Sequence, residues 1–360
     1  MPSNVDIEKG VHNLLINCAQ LEAHETLLII CEDPDLGWYD TAAPKAVAEF
    51  AATLGVTATV LAVGEPGYDV DPAVEVAIAS HDCTIYFARI GDQDRFGELP
   101  PGKRSVMIYA RTIEALASTY GSASYFAFRA LKNAIDDIML AAQNIEITCP
   151  LGTRFSGKSS KKIHQKMTDV SVLRFPLGVP LPLEAAQFSG QVALTHFLTP
   201  TGSKSYLPAS IILEKTTFAN IKNGRISGFC GDTDQVLKIE QHYNMVADQF
   251  DIDRDAVHSW HAGIHPGVSY LASAAENPDR WSNTVFTSPK FLHFHTCGNY
   301  APAEICWMVL DPTISIDGIK LWEGGQLQPA RFPDSKVVLE QWPELNALIR
   351  NPSLSVGLDV

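Results

Sequence analysis

Five of the eleven histidines, His258, His261, His265, His293 and His295, fall between positions 258 and 295 of a 360-residue chain. Two chemistries call for imidazoles gathered in this way. One is metal binding, where neutral imidazole is a common ligand; the other is proton transfer, because histidine alone titrates near neutral pH without perturbation. Residues two apart on a strand share a face, so His293 and His295 point the same way. In Glu304-Ile-Cys-Trp-Met-Val-Leu310 the same alternation separates Glu304, Cys306 and Met308 from Ile305, Trp307 and Val309. One face is apolar and the other carries ligand-type groups. A carboxylate buried there needs a partner, which a metal ion or a histidinium supplies.

His258, His261 and His265 lie in His-Ser-Trp-His-Ala-Gly-Ile-His-Pro-Gly, where Gly263 and Pro266-Gly267 predict a loop. The expected ligands are His258, His293, His295 and Glu304, which leaves His261, His265 and Cys306 for acid, base or nucleophilic work. Cys297 reads as buried packing. Glu184, in an apolar segment from 179 to 186, reads as a solvated turn or a base offered by a loop. Gly152 to Ser159 satisfies the spacing of a phosphate-binding loop, but the Ser160–Met167 segment that should open a helix has one clear apolar anchor. That stretch, with Lys158, Lys161 and Lys162, reads instead as a solvated basic loop.

The elements that must position these groups come in two styles. From 26 to 110, strand-like runs alternate with helical ones: strands at Thr26–Cys31, Thr57–Val63, Cys83–Ala88 and Ser105–Tyr109, helices at Ala42–Leu54 and Val74–Ser80. This is the rhythm of an open, doubly wound parallel sheet. A long helix over Tyr125–Gln143 closes that lobe, placing an α/β lobe at 1–143 and an α+β domain at 144–360. In the second part, strands are expected at 145–149, 170–175, 191–198, 210–214 and 218–226, the last broken at Asn223-Gly224, with a helix at 236–250. Asp317-Gly318 between Thr313–Ile316 and Ile319–Trp322 predicts a hairpin, since Asp-Gly suits the positive φ angles of a type I′ turn.

Composition narrows the function classes. With 46% hydrophobic and 19% charged residues the chain is expected to be ordered almost throughout. A net charge of -14 disfavours nucleic acid, whose phosphates need clustered Lys and Arg. The first residues lack the pattern of a secretory signal and no apolar run is long enough to span a bilayer, so the expectation is a cytoplasmic protein without membrane contact. Seven scattered cysteines suit a reducing compartment rather than a disulfide framework.

In order and spacing the chain resembles the superfamily that joins thermophilic-type metallo-aminopeptidases (the aminopeptidase T and S group) with 2,5-dihydroxypyridine 5,6-dioxygenase. The resemblance runs through the first lobe, Leu151-Gly-Thr-Arg-Phe155, the Gly263-Ile-His-Pro266 turn, the strand from Phe291 to Gly298 and the hairpin after Pro312. It implies a divalent ion, a small-molecule substrate and a homo-oligomer, to which a Trp-rich C-terminal segment (Trp281, Trp307, Trp322, Trp342) could contribute. The chain departs from the superfamily's ligand pattern in two places: Ser259 stands at the first ligand position, and Glu304 and Cys306 stand where a His-x-Asp pair is expected. Few carboxylates accompany the histidines, which favours a mononuclear site, with Fe(II) ahead of Zn or Mn. The leading expectation is a metalloenzyme, specifically a ring-cleaving dioxygenase of a hydroxylated N-heterocycle. Its rivals are a metal-dependent aminopeptidase or amidohydrolase and a binding protein that has lost the metal.

Overall fold

The structure is a computed structural model that describes residues 2–67, 71–93, 99–159, 171–200, 206–298 and 304–358. Lys161, Lys162 and the Ser160–Met167 segment lie outside these residues. The chain divides into two compact units. The first comprises residues 1–129, 169–177 and 267–269, and the second residues 130–168, 178–266 and 270–360.

The first unit is built on five strands: β1 (Leu27–Glu32), β2 (Ala58–Val63), β3 (Cys83–Phe87), β4 (Arg104–Ile108) and β7 (Leu173–Phe175). They lie in the order β2-β1-β3-β4-β7, and every pair is parallel. Helices α1 (Asn4–His12), α2 (Ala42–Thr53) and α3 (Pro72–Ser80) belong to the same unit, and α2 and α3 make the crossovers that parallel neighbours require. The doubly wound sheet expected from the sequence is thus present. Its interior strands β1, β3 and β4 are largely apolar and almost wholly buried, as sheets covered on both faces demand. The expected strand near 170–175 proves to be the last strand of this sheet rather than part of the second unit. Sequence order misplaced it because β7 pairs with β4, more than sixty positions upstream.

The helix α4 (Tyr125–Ala141) carries the chain into the second unit. There a single twelve-stranded sheet follows the order β17-β16-β15-β5-β6-β9-β14-β13-β12-β8, with β10 pairing β9 and β11 off that path. The strands are β5 (Ile145–Thr148), β6 (Arg154–Gly157), β8 (Leu183–Glu184), β9 (Phe188–Thr199), β10 (Ile211–Lys222), β11 (Arg225–Cys230), β12 (Val257–Ala262), β13 (Phe291–Thr296), β14 (Ile305–Leu310), β15 (Thr313–Ile316), β16 (Ile319–Glu323) and β17 (Gln326–Leu327). Helices α5 (Thr233–Phe250) and α6 (Pro278–Val285) complete the parts that matter for the site. The predicted hairpin is β15–β16, and Asp317 and Gly318 both take positive φ, 49° and 86°.

Two local expectations need correction. Arg154–Gly157 is not a solvated loop but strand β6, with Phe155 buried, because Phe155 finds a partner surface on Phe188 and Phe294. Likewise His258 and His261 are not on a loop. Val257 and Trp260 are good strand formers and β12 pairs with both β13 and β8, so the chain leaves the sheet only at Gly263.

Candidate metal centre

Strands β8, β12, β13 and β14 lie side by side, and their register decides which side chains meet. Trp260 opposes Leu183 and Phe294, and Phe294 opposes Trp307. Directly opposed residues of antiparallel strands project to the same face. This face is therefore aromatic, with Phe188 against Trp260 at 5.4 Å between ring centroids, Phe155 against Phe294 at 5.4 Å and Phe294 against Trp307 at 5.5 Å. The Trp307 indole donates to the Tyr243 hydroxyl at 2.7 Å, which ties helix α5 to the same face. Trp281, Trp307 and Trp322 are all buried in this unit, so they are core residues and offer no surface to another copy. Each buried ring of this size contributes on the order of 2–3 kcal/mol to holding these strands together.

That opposite face carries the chemistry. His261 opposes His293, His293 opposes Met308, Ser259 opposes His295, and His295 opposes Cys306. His261, His293 and His295 converge: His261 Nε2 lies 3.4 Å from His293 Nδ1 and 3.2 Å from His295 Nε2. All three rings are buried, and their three nitrogens lie within 4.8 Å of one another. Hydrogen bonding cannot account for this focus, because one ring nitrogen carries either one proton or one lone pair and cannot serve both neighbours. A cation can. Two nitrogens each about 2.1 Å from an ion, at angles near tetrahedral or octahedral, sit about 3.0–3.4 Å apart, which is the spacing of His261 Nε2 from each of the other two. The three imidazoles could hold a metal.

Glu304 occupies the other side of the His295 ring, its Oε2 3.3 Å from Nδ1. A carboxylate there favours the tautomer with the proton on Nδ1 and leaves the Nε2 lone pair facing the focus. The Glu304 backbone is itself held, since its carbonyl accepts from the Tyr206 hydroxyl at 2.7 Å. The other expected residues take different places. His258 is half-buried, with Nδ1 3.0 Å from the Ser259 hydroxyl. Burial, reinforced by His295, pushes its pKa down to about 4 against the opposing pull of Glu304. His265 is fully buried in the turn after β12, with its backbone N–H bonded to the Thr287 carbonyl at 2.8 Å. Cys306 is buried beside His295. Neither the His265 ring nor the Cys306 sulfur belongs to the three-nitrogen focus, and neither does the Glu304 carboxylate.

Some contributors carry no sequence signal. Phe286, at the end of α6, packs its ring 6.1 Å from that of His261 and 5.8 Å from that of His293. Gly263 lets the backbone of β12 pass against Thr287 and Ser288, where any Cβ would collide with main-chain atoms. Gly178 faces the Thr287 side chain with the same lack of room. Glu184 is not in a turn but on the edge strand β8, half-buried and opposite Ser259, and burial raises its pKa. A long-range pairing placed it there, and local sequence does not encode it.

The fold and this focus define an α/β protein with a parallel sheet, a large antiparallel sheet and a buried three-histidine site suited to a metal. No protein-family model matches the chain, and no curated protein sequence matches it. Solved structures do. The chain is similar to 2,5-dihydroxypyridine dioxygenase from Pseudomonas putida, at a TM-score of 0.60 and 12% identity, over 92% of this chain and 99% of that one. It is also similar to wild-type AmpT from Thermus thermophilus, at a TM-score of 0.52 and 13% identity, over 90% and 99% of the two chains. At such identities the likeness is one of fold, and the remote resemblance expected from the sequence is found in the structure. Among the described residues no helix is long and apolar enough to cross a membrane.

Proposed function

We propose that the chain is a mononuclear metalloenzyme acting on a small molecule, with its ion held by His261, His293 and His295. The observation that carries this reading is the convergence of three buried ring nitrogens, with His261 Nε2 at 3.4 and 3.2 Å from the other two, the separations two ligands of a single ion take. Three neutral donors on one side leave positions open, and an ion so held supplies a Lewis-acidic centre for substrate together with oxygen or water. Glu304 keeps His295 in its ligating tautomer, while Phe286 packs against the His261 and His293 rings. The half-buried His258, its Nδ1 against the Ser259 hydroxyl, is held as a neutral ring beside His295 by burial.

Within that class, ring-opening oxygenation of a hydroxylated N-heterocycle on Fe(II) is the reaction we favour. Its support is the fold shared with the Pseudomonas dioxygenase and a focus made, among the described residues, of three imidazoles without a carboxylate, since a two-ion hydrolase is bridged by carboxylates. The fold shared with AmpT keeps a hydrolytic reading in view. Metal analysis of untagged protein purified without chelator, beside a His293→Ala/His295→Ala variant, tests the site. Near-stoichiometric metal lost in the variant is expected. No metal in either protein after anaerobic Fe(II) reconstitution would overturn the enzyme reading and leave a binding protein. Oxygen uptake with hydroxypyridines, against amide release from aminoacyl anilides, then separates the two reactions.

A further inference from the structure

One edge of the parallel sheet is built unlike the other strand edges of the molecule. Among the described residues β2, β7, β8, β11 and β17 each pair with a single neighbour. Sheets keep such edges from pairing with another chain by shortness, charge, proline and bulges. β8 and β17 are two residues long, β7 is three and runs into Pro176, and β11 begins at Arg225 and shifts register against β10. β2 has none of these guards. Its six residues, Ala-Thr-Val-Leu-Ala-Val, carry no charge and no proline and keep an unbroken register with β1. The helices stand back from it as well. Val60 is 57% exposed, with a groove of 690 Å³ along Pro44, Ala48, Val60 and Ala62 on one face of the strand and one of 340 Å³ along Leu61, Val63, Val74 and Ile78 on the other.

The strand is also complementary to a copy of itself. The Asp33 N–H donates to the Val63 carbonyl at 2.9 Å, so Val63, Leu61 and Thr59 turn their main-chain groups toward β1, and Ala58, Val60 and Ala62 turn theirs outward. An antiparallel copy centred on Val60 sets Val60 against Val60 and each Ala58 against an Ala62, and every such pair exchanges two main-chain hydrogen bonds. The side chains that meet on the α2 face are then two valines flanked by alanines, small and apolar throughout. The same symmetry carries Glu65, just past the strand, toward Gly55 of the second copy and away from the other Glu65. No like charges therefore oppose one another along the strand, although the chain as a whole carries a net charge of -14.

We propose that β2 is the surface on which two copies of this chain associate, paired antiparallel about Val60 so that two five-stranded sheets become one of ten. A two-fold pairing consumes both open edges at once, and the guarded edges leave nothing for a third copy to extend, so assembly through strands closes at two. The three histidines belong to the second unit, so this inference stands apart from the ion-centred reading.

Sedimentation velocity of untagged protein at about 50 μM, where a micromolar interface is mostly filled, reads the mass. Wild type is expected at twice the mass of the chain. Val60→Lys sets two ammonium groups face to face, which should weaken association at least about tenfold and halve the mass. Val337→Lys, at a residue 61% exposed in the second unit, should leave the mass unchanged. Opposed Cα atoms in such a strand pair lie about 5.5 Å apart, within reach of a disulfide. Mild oxidation of Val60→Cys should accordingly join position 60 of one copy to position 60 of the other, identified as a cross-linked peptide by mass spectrometry. A monomeric wild type, or a mass that Val60→Lys leaves unchanged while its circular dichroism matches wild type, would overturn the inference. Should Val60→Lys fail to fold, the cross-link decides: an oxidised Val60→Cys protein without it rules out pairing through β2.

Discussion

The three converging imidazoles and the carboxylate behind one of them make unequal claims on a metal, and substitutions should separate those claims. His261 shares its Nε2 with both partners, so His261→Ala removes a direct ligand and should leave the protein essentially metal-free. Glu304 reaches the focus only through the His295 ring. Glu304→Gln should keep the metal but hold it about 10- to 100-fold more weakly, as outer carboxylate partners do. Titration against a competing chelator measures both, and equal loss in the two variants would show that Glu304 ligates directly. A second histidine makes a different prediction. His242 on α5 is buried, neither of its ring nitrogens has a hydrogen-bond partner among the described residues, and burial drives its pKa to about 4. In the unfolded chain the same ring titrates near 6.5. The unfolded state thus binds the proton first, so stability is fully present above about pH 7 and falls as pH drops from 6.5 toward 4. The loss from this one group should be on the order of 2 kcal/mol by pH 5. His258 is shifted in the same direction, so His242→Phe should flatten only part of the slope in urea unfolding at pH 7.5 and pH 5.

At the scale of the elements, β12 is where the sequence was read least well and where the site is most exposed to damage. The alternation in β13 and β14 was readable because it is local. His293 and His295, and then Glu304, Cys306 and Met308, announce their common face from spacing alone, and the register places His295 against Cys306 and His293 against Met308 as that spacing implies. The first four strands of the parallel sheet were readable for the same reason, as largely apolar runs of the right length, whereas β7 was not. The strand character of β12 was hidden by Gly263 and Pro266-Gly267, which govern only its exit, and the edge strand β8 is two residues long. Neither can be found without knowing its partner. The expectation that His258 would ligate while His261 served as acid or base came from this gap, since only the register shows His261 opposite His293. Gly263 itself is the element's weak point. Its N–H bonds the Phe291 carbonyl at 3.1 Å, its carbonyl accepts from the Trp322 indole at 2.9 Å, and a side chain there meets the Thr287 and Ser288 backbone. Gly263→Ala should therefore cost roughly 3 kcal/mol or more, the scale of an overpacked core site that cannot relax. It should also weaken metal binding, because it shifts β12 two residues from His261. Thermal unfolding with and without metal reads both effects, and a variant of unchanged stability would mean that the Thr287–Ser288 segment yields.

At the scale of the whole molecule, the two units should answer the ion differently. Every residue of the focus, together with Glu304 and the aromatic face that supports it, belongs to the second unit, and among the described residues no other group of histidine, cysteine or carboxylate side chains converges in this way. An ion that binds the folded state stabilises it by about 2.7 kcal/mol when present at a hundred times its dissociation constant. That energy is delivered where the ligands sit. β12 and β13 bring the three ligands together, and β14 holds β13 by a six-residue register, so opening any one of these strands must release the ion. Amide hydrogen exchange followed by mass spectrometry should accordingly slow on metal addition in peptides covering 257–262, 291–296 and 304–310. Exchange in the parallel strands at 27–32, 83–87 and 104–108, which carry none of the ligands, should be far less altered. The His261→Ala protein should show neither change. Slowing confined to the parallel sheet would place the ion elsewhere and refute the three-histidine centre, while slowing spread evenly over both sheets would mean that the ion stabilises the chain as a single cooperative body.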